Sequence, residues 1–140
     1  MQVEIIVNRN KIQARKGETI LTALQRNGIK IPTLCNLPEL TPTGACRLCV
    51  VEDEDTRHLI PACSTPVQTG MKILTHSPKV IRSRQTIINL LLTNHPDDCL
   101  YCDKNRRCEL QSLSEELYIR ERLFTGAKKK GKTDRSSQGL

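Results

Sequence analysis

The sequence predicts an α+β fold, and three observations carry that expectation. An alternating apolar segment opens the chain. Short strand-like runs are interleaved with two clear helix signals. Seven cysteines and one histidine fall into two compact sets of four that could each staple a small core.

Residues 2–7 (QVEIIV) and 11–14 (KIQA) alternate apolar and polar around Asn8-Arg9-Asn10, which predicts a β-hairpin. Thr19 is placed to cap a helix over residues 20–27, with Ile20, Leu21, Ala23 and Leu24 inward and Gly28 ending it. Pro32, Pro38, Pro42 and Gly44 make residues 29–46 a long loop. Residues 48–52, 59–62 and 71–74 read as short strands, with an acidic turn after the first. Ser77-Pro78 opens the strongest helix, a cap residue followed by proline at the first helical position. Val80, Ile81, Ile87, Ile88, Leu91 and Leu92 give it one apolar face. It should stop near Asn94, because His95 precedes Pro96. Leu110, Leu113 and Leu117 suggest a last short helix. From Thr125 the composition turns to Gly, Lys and Ser, as in a flexible linker.

Composition narrows the function. Of 140 residues, 37% are apolar and only Tyr101, Tyr118 and Phe124 are aromatic, thin material for a core without a staple. The absence of a long apolar run excludes a membrane-spanning helix, and Glu4 within the first segment argues against a secretory signal. A cytoplasmic location follows as the expectation, where cysteines serve as metal ligands or catalytic groups rather than disulfides. The formal charge of +7 is concentrated at the end of the chain. Residues 120–140 hold seven basic and two acidic side chains, leaving a surplus of only two for residues 1–119. With no aromatic platform for bases, nucleic acid is not an expected partner.

The first cysteine set is Cys35, Cys46, Cys49 and Cys63. Cys46-Arg-Leu-Cys49 puts two thiols on one tight turn, and the other two come from separate loops. The second set, His95, Cys99, Cys102 and Cys108, lies within HPDDCLYCDKNRRC, so one loop can wrap one centre. Two sets of four with no thiol left over indicate two metal centres. Zinc and iron–sulfur both fit by chemistry, but zinc modules usually pair two Cys-x2-Cys knuckles, whereas the first set has one.

GACRLCVVE and PACSTPVQTGM resemble the plant-ferredoxin-like domain at the start of certain large oxidoreductase subunits, and HPDDCLYCDKNRRCELQ resembles the segment that follows it there. These families are the large iron–sulfur subunit of NADH dehydrogenase, multimeric [FeFe]-hydrogenases and NAD-linked formate dehydrogenases. The resemblance spans residues 1 to about 122. It implies a β-grasp domain over 1–76 with a [2Fe–2S] cluster on Cys35, Cys46, Cys49 and Cys63. It further implies a helix and a small [4Fe–4S] segment over 77–124, ligated by His95, Cys99, Cys102 and Cys108, with 125–140 as a basic tail. The implied role is one-electron relay beside flavin- or NAD(P)-binding and catalytic subunits, with no catalytic residue in the chain itself. Whether the chain is a separate subunit or an excised module stays open. The alternative is a non-redox interaction protein stapled by zinc or by clusters.

One departure stands out. Family members often carry glycine before the last cysteine, where this chain has Arg106-Arg107. Either a positive φ at Arg106 costs about 1 kcal/mol or the turn differs, and the two arginines could instead offset the negative charge of the thiolates. GAKKKGKT at 126–133 matches the phosphate-loop pattern but lacks the preceding strand and following helix, so it is read as chance. No G-x-G-x-x-G fingerprint occurs. His58 and His76 are expected at the surface.

Overall fold

The computed structural model describes residues 1–126; the lysine-rich stretch from residue 127 onward, with nearly all of the phosphate-loop match, lies outside the described residues. Two compact units form, one ending at Ile87 and the other beginning at Ile88. Among the described residues no helix is long and apolar enough to cross a membrane.

The first unit is built on a five-stranded mixed sheet. Its strands are β1 (Gln2–Val7), β2 (Asn10–Arg15), β3 (Val50–Asp53), β4 (Leu59–Pro61) and β5 (Lys72–Leu74). Their order across the sheet is β2-β1-β5-β3-β4. Only β1 and β5 pair in parallel; the other neighbours are antiparallel. The hairpin loop has two residues rather than three. Asn8 and Arg9 both take positive φ, 50° and 69°, the mirror-image turn whose twist matches paired strands. Asn8 then ties this turn to the end of β5 through Thr75, donating to its Oγ1 at 2.8 Å and accepting from its N–H at 2.9 Å.

Helix α1 (Ile20–Arg26) begins at Thr19, whose hydroxyl accepts from the Thr22 N–H at 3.2 Å. It ends as its sequence requires. Gly28 sits at φ 73°, and the N–H groups of Gly28 and Ile29 reach back to the carbonyls of Gln25 and Leu24. Its inward residues pack with Ile5, Val7, Val51 and Ile73 in one apolar cluster, which also contains Cys49, Ala62 and Cys63. Two ligand candidates are thus part of the core itself. Val51 points into that cluster, yet Val50 and Glu52 on the other side of β3 are buried as well. This is why the run VVE shows no alternation.

Helix α2 (Pro78–Thr93) starts where expected, with the Ser77 hydroxyl accepting from the Val80 N–H at 3.2 Å. Its buried side differs from the apolar face read from the sequence. Val80, Arg84, Ile88 and Asn89 are buried, while Ile81, Leu90 and Leu91 are exposed. A helix buries what meets its neighbours, and here two polar side chains find partners inside.

In the second unit a short 3-10 turn (Cys99–Tyr101), not foreseen from the sequence, precedes helix α3 (Glu109–Glu116). Leu113 is the buried residue of α3, and Tyr118 at φ 55° terminates it.

Candidate metal centres

Sheet and helix leave residues 29–49 as an irregular loop that carries three of the first four cysteines, while Cys63 follows β4. The Cys46 N–H donates to the Cys35 sulfur at 3.5 Å, and that bond is the main cause holding the Cys35 thiol below its ordinary pKa. Cys49 and Cys63, each 1% exposed, interact through their thiols, and Cys46 is near enough to act on Cys49 through its charge. Burial pushes the Cys49 thiol up to about 11. The structure therefore joins Cys35 to Cys46, Cys46 to Cys49 and Cys49 to Cys63, uniting the first predicted set. Two features of the backbone shape this loop. Arg47, between Cys46 and Cys49, is at φ 61° with its side chain exposed. Gly44, at φ 64°, lies so close to Ser64 that a Cβ would meet its Oγ at 3.2 Å.

In the second unit His95, Cys99, Cys102 and Cys108 all line one small open cavity, together with Asn105 and Gln111. Cys99 and Cys102 are exposed and Cys108 half-buried. Hydrogen bonds within the loop set its path: the Cys102 N–H to the Cys99 carbonyl at 3.2 Å, and the Asn105 N–H to the Cys102 carbonyl at 2.9 Å. Gln111, on α3, braces the last turn. Its amide donates to Asn105 Oδ1 at 3.0 Å, and its Oε1 accepts from the Arg106 N–H at 2.9 Å. Arg122 secures the other side, donating to the carbonyls of Leu92 and His95 and pairing with Asp97. Neither Gln111 nor Arg122 was singled out from the sequence. Arg122 gives no local signal, whereas Gln111 sits three residues beyond the last cysteine in the quoted motif.

Arg106 has φ 64°, so the turn keeps the left-handed conformation that a glycine would adopt without strain. Arg106→Gly is thus expected to stabilise the loop by roughly 1 kcal/mol, since the strain falls on a residue with a Cβ. Chemical denaturation of the loaded chain would register it. A loss of stability would mean that the arginine side chain contributes more than its backbone strain costs.

Thiols linked pairwise from Cys35 to Cys63, and a cavity lined by three thiols and an imidazole, are donor types suited to iron–sulfur clusters. Among the described residues no group of three His, Cys, Asp or Glu side chains is spaced for a single metal ion. His58 and His76 are exposed, as expected.

Comparison with known proteins agrees with the chemistry. Residues 84–122 match the NADH-ubiquinone oxidoreductase-G iron–sulfur binding region. The chain is 43% identical over 127 residues to the NADP-reducing hydrogenase subunit HndD of Solidesulfovibrio fructosivorans, covering 87% of this chain and 22% of that protein. It is 46% identical over 110 residues to the NADPH-Fe(3+) oxidoreductase subunit alpha of Geobacter sulfurreducens, covering 79% of this chain and 13% of the relative. The chain thus spans about a fifth or less of the length of these relatives. Among solved structures it resembles a chain of an NAD+-reducing [NiFe]-hydrogenase in the H2-reduced state. The TM-score is 0.84 at 29% identity, over 91% of this chain and 54% of that one. The chain carries one [2Fe–2S] and one [4Fe–4S] cluster. Residues 1–78, more than half of the sequence, match the 2Fe-2S iron–sulfur cluster binding domain, and the chain belongs to that family.

Proposed function

We propose that the chain relays single electrons within a multisubunit NAD(P)H- or ferredoxin-linked oxidoreductase of the hydrogenase or formate dehydrogenase kind. The observation that carries this reading is that Cys35 meets Cys46 and Cys49 meets Cys63, while His95, Cys99, Cys102 and Cys108 line one cavity. Cys35, Cys46, Cys49 and Cys63 hold the [2Fe–2S] cluster, and His95, Cys99, Cys102 and Cys108 hold the [4Fe–4S] cluster. When bound, the clusters supply two one-electron carriers.

The chain's own residues do the rest. Burial of Cys49 and Cys63 keeps water from one side of the first site, and the Cys46 N–H stabilises negative charge on the Cys35 sulfur. Arg122 and Gln111 fix the loop that presents His95 and the three cysteines, so that the donors need little rearrangement. Residues 1–76 form the ferredoxin-like domain in this reading, 77–124 the histidine-ligated segment, and 125–140 a basic linker. The partners are flavin- or NAD(P)-binding and catalytic subunits, and the setting is the cytoplasm, as the thiol-rich composition supports.

Anaerobic purification tests the reading. About six irons per chain are expected, two plus four. After dithionite reduction, one paramagnetic signal should persist at higher temperature and a second should appear only when very cold. A colourless protein holding two zinc ions would overturn it.

A further inference from the structure

Helix α2 buries an arginine on the side that also buries Val80 and Ile88. Arg84 lies one helical turn-pair between Val80 and Ile88 at i, i+4 spacing and is 3% exposed. Its Nε donates to the Leu48 carbonyl at 3.0 Å and its Nη2 to the Val50 carbonyl at 2.8 Å. These two carbonyls flank Cys49. Burying a guanidinium is costly, and two neutral acceptors do not cancel its charge. Glu52, two residues along β3 from Val50, faces Arg57 Nε at 3.0 Å instead, and no described carboxylate lies within 4.0 Å of Arg84.

We propose that Arg84 is a positioning residue of the [2Fe–2S] site: it clamps the main chain on both sides of Cys49 and holds a permanent positive charge against that ligand, making the cluster easier to reduce. The proposal rests on the assignment of Cys49 as a ligand. Desolvation lowers the guanidinium to about 10, while the nearby Cys49 acts in the opposite direction, so the side chain is charged at neutral pH. Arginine suits both tasks. Its rigid fork spans two acceptors at once, and its charge survives the desolvation of this site. Four thiolates make the oxidised site anionic, and reduction adds one more negative charge. A fixed cation nearby stabilises the reduced form more than the oxidised form. The step transfers one electron from the external reductant to the cluster, and no bond or proton changes hands. A purely structural pin would behave differently, since it needs the two donors and not the charge.

Potentiometric titration of the full chain with dithionite, followed through the [2Fe–2S] paramagnetic signal at pH 7, separates these roles. Arg84→Lys should stay within about threefold of the unaltered reduction equilibrium. Arg84→Gln should move it about tenfold or more toward the oxidised form, equivalent to about 59 mV more negative for a one-electron couple. The [4Fe–4S] potential should stay put in both variants, reporting an intact second site. An unmoved potential in Arg84→Gln, or a Lys variant shifted as far as the Gln variant, would overturn the role of the charge. Should Arg84→Gln fail to load, Arg84→citrulline decides, because it keeps both donors and loses only the charge. The same tenfold shift supports the proposal, and an unchanged potential ends it. Absence of the [2Fe–2S] signal from the unaltered chain would instead sink the ligand assignment beneath it.

Discussion

Replacing Cys102 by serine is expected to abolish the [4Fe–4S] signal and leave the [2Fe–2S] signal at full strength, with Cys49→Ser doing the reverse. The two donor sets share no residue, and each is held by its own local contacts. Cys102 sits in a loop closed by bonds to the Cys99 carbonyl and from the Asn105 N–H. Cys49 is part of the apolar cluster beneath α1. Iron should fall from about six per chain to about two for Cys102→Ser and to about four for Cys49→Ser. The second variant carries an added penalty. A serine hydroxyl in that dry position loses about 1–3 kcal/mol if it finds no partner, so thermal stability should fall more than in Cys102→Ser. Iron analysis and low-temperature spectroscopy of both proteins check this. Loss of the [2Fe–2S] signal in Cys102→Ser would mean that the eight ligands are wrongly divided.

His95→Cys is expected to retain a [4Fe–4S] cluster but to lower its potential, on the order of 100 mV or more, judging by how strongly imidazole ligands raise iron–sulfur potentials. The sign follows from charge. A neutral imidazole becomes a thiolate, the site gains a negative charge, and adding an electron becomes harder. The position tolerates the change. His95 lies just past α2, with its N–H bonded to the Leu92 carbonyl at 3.2 Å, so its placement depends on the main chain rather than the ring. Arg122 holds the same segment from outside. Potentiometry of the variant tests the expectation, and an equal or higher potential would show that His95 is not a ligand.

The elements that sequence reading located well are those written in local chemistry. Thr19 and Gly28 bracket α1, Ser77-Pro78 opens α2, and alternation marks β1. Thiol spacing alone likewise singled out the candidate donors. Tertiary contacts were not. Arg84 interrupts an apolar stripe, and such a break reads as a solvated edge until β3 supplies the two carbonyls that accept from it. The turn at Asn8-Arg9 was drawn one residue too long because arginine in a left-handed conformation is not a usual turn signal. At Arg106 the reverse held: a glycine expected by resemblance was absent, yet its backbone conformation remained.

The two sites also differ in what surrounds them. Cys49 and Cys63 are closed off by side chains, whereas Cys99 and Cys102 face solvent beside Leu100 and Tyr101, which are 86% and 90% exposed. Dioxygen and peroxide therefore have a shorter way to Cys99 and Cys102 than to Cys49 and Cys63, which they reach only when the fold opens. Decay in air is thus expected to begin at Cys99 and Cys102, with the site that Cys49 and Cys63 close on one side outlasting it.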